Sequence, residues 1–399
     1  MRPILVDVTR TISRAFKPVP TGIDRVERAY IGWFSMQSSA WFVANVSGRI
    51  VVFDSDGILS LMACIDEREP WDQPNGLGWL WSLGGDQTIK RNATIKRLAT
   101  WIFDPTKAPS ALQDCIGSPG TYLNVGHTNL DETWLHLMTS AGGFRIVVMV
   151  HDMIPLDFPQ YQTPKSVARF ETRIRATAAC ADMIIANSKV TADRVDDWFA
   201  RWGRSVPVAP IHLGITPVEA AVQSAKNDPY FIMLGTIEPR KNHELMLDVW
   251  DLLPSENRPF LHIVGARGWQ NSEVFKRLDT SPLMGQSILE HGPLSDGRTQ
   301  ALLRGARGLL FPSLAEGFGI PVLEALQVHV PVLANRLPVL EEIAGPSVLY
   351  IDSHDANVWA TIISRIANTG GATNNTPEFG DLVIPRWEDH FQQLMRVLA

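Results

Sequence analysis

Two glutamates separated by a glycine-rich segment form the most informative pattern of the chain. The segment EGFGIPVLEAL covers residues 316–326, with Glu316 at its start and Glu324 near its end. An apolar run precedes it, so the pattern predicts a strand, a glycine loop and the first turns of a helix. Free N–H groups at a helix start bind anions, whereas a carboxylate there favours hydroxyl groups as ligands. The segment therefore predicts a ligand that carries both a diphosphate and sugar hydroxyls.

Arg240 and Lys241 form a second group that could do chemistry. They follow the apolar run 230–234 and a turn through Glu238 and Pro239, so we expect them at the carboxyl end of a buried strand. Two adjacent cations at that place can hold a diphosphate and stabilise the charge that grows when it leaves. A solvated charge pair at a helix start is the plain alternative, although the helix dipole disfavours cations there.

Histidines follow two predicted strands of the N-terminal half. His151 and Asp152 come directly after the apolar run 146–150, and His127 follows the shorter run 122–126. Ligands of parallel α/β sheets bind beyond the carboxyl ends of the strands. We expect His151 to bind the sugar or to stabilise positive charge at the reacting carbon, and Asp152 to orient a loop. A satisfied histidine at a strand end is the plain alternative for His151.

A glycine follows the first predicted strand at a predicted helix start. Residues 10–20 carry basic residues and prolines and predict a loop, and a helix begins near Thr21 and Gly22. Asp24 and Arg25 come next, and they either cap this helix or contact a second substrate. A single glycine at a helix start fits a plain turn equally well, so the residues alone leave this position open.

The run Asp54-Ser55-Asp56 spells a D-x-D pattern, which in some enzymes holds a divalent metal beside a diphosphate. A predicted strand precedes it and Gly57 follows, so we favour an acidic hairpin turn. The cation pair described above would make a metal redundant. We therefore predict neither a metal nor a cofactor.

Composition and charge favour a two-domain globular protein. At 399 residues the chain exceeds what one core usually supports. The net charge of −6 argues against a nucleic-acid binder. Residues 1–215 carry a net charge of +1 and residues 216–399 one of −7. The N-terminal half is therefore the expected side for an anionic surface or an acceptor.

Cysteine usage and hydropathy predict where the chain resides. Three widely spaced cysteines, Cys64, Cys115 and Cys180, match neither a metal pattern nor a disulfide framework. No signal peptide and no apolar run of membrane-spanning length occurs. We expect a cytoplasmic protein. Tryptophans clustered between Trp71 and Trp101 either pack a core, line an acceptor groove or touch a membrane surface.

The order of predicted elements indicates two α/β units. Strands alternate with helices along both halves, which is typical of parallel sheets wound with helices. The polar, aperiodic stretch 216–228 is the expected linker. We therefore place one domain at 1–215 and another at 216–386, with the helix 387–399 packing back on the first. Residues 66–88 and 369–377 are predicted to be loops.

Several of these segments resemble the E-x7-E family of family-4-type glycosyltransferases. These are retaining enzymes with two Rossmann-like domains that face each other across a cleft, the GT-B architecture. The resemblance covers most of 145–350 and is carried by LGTIEPRKN (234–242), by 291–313 and by the glutamate segment. The first 140 residues match only at their start. The resemblance is closest to bacterial polysaccharide mannosyltransferases with an EPRKN run.

The resemblance implies a role for each residue named above. Glu324 would bind the ribose hydroxyls of a nucleotide, and Glu316 the hydroxyls of the transferred sugar. Many relatives carry an arginine where this chain has Thr236, so Arg240 would share the diphosphate with Lys241. The implied catalytic residues are Arg240, Lys241, His151 and Glu316; the donor-binding ones are Gly22, Thr236, Gly317, Phe318, Gly319, Ile320 and Glu324; the acceptor-binding ones are Asp24, Arg25, His127 and Asp152.

The implied reaction is the metal-independent transfer of a hexose to a saccharide or lipid-linked saccharide acceptor in cell-surface polysaccharide synthesis. GDP-mannose is the favoured donor and a UDP-hexose the next. Peripheral contact with the inner face of a membrane would suit a lipid-linked acceptor. A nucleotide-sugar epimerase of the same fold and a non-catalytic sugar-nucleotide-binding partner in a polysaccharide assembly complex are the alternatives. A dehydrogenase is disfavoured because no G-x-G-x-x-G follows the first strand.

Overall fold

Two β-sheets, each covered by helices, dominate the computed structural model. It describes residues 2–17, 19–73, 86–106, 108–116, 120–140, 143–217, 229–352, 354–368 and 382–399. The predicted α/β fold class is confirmed. Three predicted loops lie wholly or mostly outside the described residues. They are the linker 216–228, of which residues 218–228 are not described, the loop 369–377 and most of the loop 66–88.

The first sheet belongs to the N-terminal half and is mixed. Within the described ranges its strand order is β4-β3-β2-β1-β5-β6-β7-β8. The central strands pair in parallel, while β2 pairs with β3 and β3 with β4 in antiparallel fashion, with a hairpin turn at Ser47 and Gly48 between β2 and β3. The strands are β1 Ile4–Asp7, β2 Ala40–Val46, β3 Arg49–Phe53, β4 Trp101–Phe103, β5 Thr121–Asn124, β6 Arg145–Val150, β7 Met183–Ala186 and β8 Val208–Pro210.

The second sheet belongs to the C-terminal half and is parallel throughout its described pairs. Its order is β11-β10-β9-β12-β13-β14, so the chain reverses direction across the sheet between β9 and β12. Crevices at such a reversal bind ligands beyond the carboxyl ends of the strands. The strands are β9 Tyr230–Leu234, β10 Phe260–Val264, β11 Ile288–Gly292, β12 Gly308–Phe311, β13 Val332–Ala334 and β14 Leu349–Tyr350.

Helices connect the strands and cover both sheets. Within the described ranges none is long and apolar enough to cross a membrane. The helices are α1 Thr9–Ser13, α2 Gly22–Phe34, α3 Ser55–Ile65, α4 Asp86–Leu98, α5 Ala108–Ile116, α6 Glu132–Ser140, α7 Ile154–Asp157, α8 Pro164–Cys180, α9 Lys189–Arg201, α10 His243–Leu252, α11 Ser272–Thr280, α12 Asp296–Gly305, α13 Ile320–Gln327, α14 Pro338–Ala344, α15 Ala356–Asn368 and α16 Trp387–Leu398.

The last helix, α16, packs against α2 of the N-terminal half. The ring of Phe391 stacks on Trp33 with centroids 4.7 Å apart. His390 Nε2 lies 2.7 Å from the hydroxyl oxygen of Tyr30. Phe391 and Tyr30 are both buried, so this contact continues the core of the first sheet.

Two local predictions were wrong. In one case a side chain caps a helix start, and in the other a side chain remote in sequence accepts a hydrogen bond from a backbone N–H group. The Asp54 side chain accepts the Gly57 N–H at 2.8 Å and caps α3, so the D-x-D run joins a strand to a helix rather than forming a hairpin. Within the loop predicted at 10–20, residues Thr9–Ser13 are helical. There the buried Glu27 accepts the Thr11 N–H at 3.0 Å, a contact that local sequence cannot reveal.

Candidate functional site

Arg240 and Lys241 converge on Glu316 in the C-terminal half. Arg240 donates to Glu316 Oε2 at 2.8 Å, and Lys241 Nζ donates to Glu316 Oε1 at 2.5 Å. A second carboxylate, Glu238, lies 2.8 Å from Arg240. The side chain of Lys241 is 11% exposed and that of Glu316 only 7%, so the group is largely shielded from water. The two cations are therefore held together, and they are neutralised by carboxylates.

The turns after β9 and β12 bring this group together. Arg240 and Lys241 lie in a 3-10 turn, Pro239–Lys241, after β9. The backbone N–H of Leu314 donates to the Arg240 carbonyl at 2.7 Å, which fixes that turn against the loop after β12. Because β9 and β12 are neighbours at the point where strand order reverses, the loops that follow them share one end of the sheet.

The charges within this group set its protonation. Burial alone would raise the pKa of Glu316, but Arg240 and Lys241 lower that pKa to about 2. Burial lowers the pKa of Lys241, while Glu316 opposes the change. Burial raises the pKa of Glu238 and that of Asp152, in both cases against the attraction of Arg240. Glu316 therefore stays ionised, whereas Glu238 and Asp152 accept protons more readily than ordinary carboxylates.

His151 and His127 form a neutral pair on the opposite side, at the ends of β6 and β5. His151 Nε2 lies 2.7 Å from the Val125 carbonyl, and His127 Nε2 lies 2.8 Å from the Met149 carbonyl. A carbonyl only accepts, so both Nε2 atoms carry the proton. The rings lie 4.9 Å apart. Burial lowers the pKa of His151 to about 4 and that of His127 well below its usual range. At neutral pH each ring therefore presents Nδ1 as an acceptor.

Gly317 of the C-terminal half lies against the backbone that follows β6 of the N-terminal half. A Cβ atom added there would lie 2.5 Å from the His151 carbonyl oxygen and 2.9 Å from the Asp152 Cβ. The same His151 carbonyl accepts a hydrogen bond from Asn187 Nδ2 at 2.8 Å, and Asp152 Oδ1 accepts the Ile154 N–H at 3.0 Å. The halves can meet here only because residue 317 has no side chain.

Arg25 of the N-terminal half and Glu324 of the C-terminal half form an ion pair. Arg25 Nη2 donates to Glu324 Oε1 at 2.5 Å, and the Glu324 side chain is only 10% exposed. Burial alone would lower the pKa of Arg25, but the charge of Glu324 raises it. Nearby, a Cβ atom at Gly22 would lie 3.9 Å from Ile320 Cδ1, so the starts of α2 and α13 face each other. The resemblance places Arg25 at the acceptor and Glu324 at the ribose. In this structure the two side chains pair with each other.

Asp24 is committed to the end of a helix. Its Oδ2 accepts the backbone N–H and the hydroxyl of Thr21 at 2.7 and 2.8 Å, which completes a capping box on α2. Arg10 and Arg14 pair with the two carboxylate oxygens at 2.6 and 2.8 Å. Of the two roles that the sequence left open for Asp24, the contacts correspond to capping.

The remaining expected donor-binding residues frame the loop before α13. Gly319 has φ of +104°, a left-handed conformation that favours glycine, and it caps α13. Phe318 is buried, with its ring 5.9 Å from that of His212, so only its backbone can face a ligand. Thr236 packs against Gly268, where an added Cβ would lie 2.7 Å from the threonine Cγ2.

Two residues of the site escaped the sequence analysis. Glu238 is buried and paired with Arg240, and its place in the same EPRK run was an available signal. Asn187 holds the His151 carbonyl, but no local pattern marks it, because the contact joins the ends of β6 and β7.

Comparison with known proteins identifies the C-terminal half. Residues 214–378 match the family model of glycosyl transferases group 1. These residues form a group 1 glycosyl transferase domain. The predicted family is thereby confirmed. The matched residues contain the second sheet, and the loops after its strands carry the group of Arg240, Lys241 and Glu316 described above.

Proteins similar to this chain include named mannosyltransferases. The chain is 32% identical over 238 residues to the serotype-specific mannosyltransferase WbdA of Escherichia coli. The aligned segment covers 55% of this chain and 29% of WbdA. It is 29% identical over 227 residues to O-antigen chain mannosyltransferase B of the same organism, covering 53% of this chain and 58% of that one. The chain thus spans less than two thirds of either relative.

Solved structures share the two-sheet arrangement over the whole chain. Anabaena Alr3699/HepE in complex with UDP superposes with a TM-score of 0.65 at 14% identity, covering 100% of this chain and 99% of that one. Sucrose-phosphate synthase from Thermosynechococcus elongatus gives a TM-score of 0.62 at 16% identity, covering 100% and 98%. At such identities the likeness shows the fold alone, and it confirms the expected GT-B architecture.

Proposed function

We propose that this chain transfers a hexose, with mannose favoured, from a nucleotide sugar to a saccharide or lipid-linked saccharide acceptor in cell-surface polysaccharide synthesis. The observation that carries the proposal is the convergence of Arg240 and Lys241 on Glu316 inside the group 1 domain. Relatives named as a serotype-specific mannosyltransferase and as an O-antigen chain mannosyltransferase support mannose and a polysaccharide product. GDP-mannose is the first candidate donor and a UDP-hexose the second.

Departure of the diphosphate is the step that Arg240 and Lys241 would assist. Both cations are already fixed in place, so they need no rearrangement when negative charge develops on the leaving oxygen. In this structure Glu316 pairs with both cations. A diphosphate competes with Glu316 for the same donors, and Glu316 is then free to accept hydrogen bonds from the transferred sugar.

Retention of the anomeric configuration would follow from attack on the face that the diphosphate leaves. The acceptor oxygen bonds to the anomeric carbon, the bond from that carbon to the diphosphate oxygen breaks, and the acceptor proton passes to the diphosphate. Glu316 is a poor candidate for a covalent nucleophile because two cations bind it and its pKa is about 2. A short-lived oxocarbenium ion pair is therefore favoured over a double displacement. His151 Nδ1 would accept a hydrogen bond from a sugar hydroxyl.

We propose that transfer needs no divalent metal. Arg240 and Lys241 supply the positive charge that a metal would otherwise bring to the diphosphate. The D-x-D run is not arranged as an open pair of ligands, because Asp54 caps α3 and also accepts the Thr100 hydroxyl at 3.0 Å.

Donor binding and transfer can be measured separately. Thermal unfolding with GDP, UDP and dTDP reports donor preference, because a ligand that binds only the folded chain raises its stability. We expect GDP to give the largest shift. Transfer from GDP-mannose to an α-mannoside acceptor should persist in excess chelator, and NMR of the product should show an α linkage.

Each alternative outcome has a distinct meaning. Strict dependence on a metal, or a β linkage, would contradict the proposed mechanism. Donor turnover without any acceptor would indicate an epimerase. Donor binding without turnover, across a panel of saccharide acceptors, would indicate a non-catalytic partner. Absence of any shift with every nucleoside diphosphate would overturn the proposed function as a whole.

A further inference from the structure

Two aromatic side chains stand exposed on opposite sides of the gap between the halves. Among the phenylalanine, tyrosine and tryptophan residues that the structure describes, only Phe158 and Trp269 are exposed, each by 38%. Trp269 Nε1 donates to the backbone carbonyl of Tyr161 at 3.0 Å. The Tyr161 ring stacks on Phe158 with centroids 6.1 Å apart. Phe158, Tyr161 and Trp269 form one group, called here the aromatic rim.

The aromatic rim is continuous with the candidate site on both sides. The Gly268 N–H donates to the Ile237 carbonyl at 3.1 Å, so the loop that carries Trp269 pairs with the loop that leads into Arg240. On the other side, the short helix α7 connects Asp152 to Phe158. A ligand that reaches past the reacting groups therefore meets aromatic rings from both halves.

The chemistry of the rim fits a sugar ring better than a charged ligand. Exposed aromatic side chains gathered in one place mark ligand-binding surfaces more often than chance exposure does. A pyranose has an apolar face of C–H groups, which an aromatic ring covers well, and hydroxyl edges that stay in water. The rim side chains carry no charge, so they offer an apolar surface rather than an ionic partner.

We propose that the aromatic rim binds a pyranose ring of the acceptor saccharide, adjacent to the sugar that receives the transferred hexose. The identity of the ligand as an acceptor rests on the proposed function, whereas binding of a saccharide at the rim does not. Because Phe158 and Trp269 come from different halves, a sugar ring that contacts both would also hold the two halves together.

The test is a calorimetric titration of the full chain with α-linked mannotetraose. Trp269→Ala and Phe158→Ala should each weaken binding about tenfold or more, as expected when a central aromatic contact is truncated. Trp269→Phe keeps a ring but loses the hydrogen bond to Tyr161, so it should keep most of the affinity. Leu252→Ala, at an exposed leucine at the end of α10, is the matched control and should bind like the unchanged chain.

Contrary results separate the rim from the proposed function. If Trp269→Phe binds as weakly as Trp269→Ala, the link between halves matters rather than stacking, and the inference is wrong. If Phe158→Ala and Trp269→Ala weaken GDP binding instead, the rim holds the nucleobase. If these variants change only the oligomeric state in sedimentation, it is a contact between copies. If the unchanged chain does not bind mannotetraose but is stabilised by GDP, the inference about the rim is wrong and the proposed function is not contradicted.

Discussion

The two sides of the candidate site solve different chemical problems. The C-terminal side holds ionised groups, since Arg240 and Lys241 are bound to a carboxylate whose pKa is about 2. On the N-terminal side the histidine pair is neutral, because burial lowers the pKa of His151 and that of His127, and the Nε2–H of each donates to a backbone carbonyl. Fixed charge suits a leaving diphosphate, and a neutral acceptor suits the orientation of hydroxyl groups. Under the proposed function, the two cations of the C-terminal half would bind the leaving diphosphate, and His151 of the N-terminal half would orient the sugar together with Glu316.

Removal of a cation should have the largest effect on this division. Lys241→Ala is expected to lower the rate of transfer by a factor on the order of 10² to 10³, because one fixed charge at the leaving group is lost. Arg240 still binds Glu316, so the fold should persist. Transfer kinetics and thermal unfolding check both parts. Lys276→Ala, on the exposed side of α11, is the control. Undiminished transfer by Lys241→Ala would remove the leaving-group role.

A side chain at Gly317 should break the contact between the charged and neutral sides. In Gly317→Ala the new methyl group meets the His151 carbonyl, so the halves must separate. Transfer should fall by roughly ten- to a hundredfold, since small misplacements of reacting groups are costly. Stabilisation by GDP should change less, because Arg240 and Lys241 are untouched.

Gly297→Ala is the matched control for Gly317→Ala. It also adds one methyl group near a helix start, but an added Cβ there meets no atom within 4 Å. Equal transfer rates for the two alanine variants would show that the halves need not touch at residue 317 during the reaction.

Acid should destabilise the chain through the neutral side. The pKa of His151 falls from 6.5 to about 4 on folding. Between these values the unfolded chain binds a proton that the folded chain does not, so stability present above pH 6.5 is lost as the pH falls towards 4. This histidine alone should change the folding equilibrium constant by about tenfold per pH unit.

Urea unfolding between pH 7.5 and 5 measures that slope. His151→Gln should reduce the slope by the share of one histidine, because glutamine does not titrate, while buried histidines such as His243 and His390 keep the rest. Any loss of stability at pH 7.5 reports only the altered contacts. Identical slopes for the two proteins would show that His151 is protonated in the folded chain, and the neutral character of this side would then be wrong.

Much of the fold followed from local pattern. The apolar runs 146–150 and 230–234 predicted buried strands, and the structure has β6 and β9 there. Alternation of strands and helices predicted parallel sheets, and the glycine-rich segment predicted the start of α13. These features depend on neighbours in sequence, so they are visible without a structure.

The partners of the charged groups did not follow from pattern. The resemblance assigns Glu316 and Glu324 to ligand hydroxyls, and it gives no sign that Glu316 pairs with Lys241 and Arg240 or that Glu324 pairs with Arg25. These pairs join residues far apart in sequence and meet only when both sheets are in place. The capping role of Asp54 was also missed, because a turn and a helix start share the same residue types.

The ion pair between Arg25 and Glu324 holds α2 of the N-terminal half against α13 of the C-terminal half. Under the proposed function, a ribose that takes Glu324 must first release Arg25, so part of the intrinsic affinity for the donor is consumed in undoing that contact. Under the same proposal, donor binding would loosen the contact between α2 and α13 and would leave the positive charge of Arg25 without its present carboxylate partner.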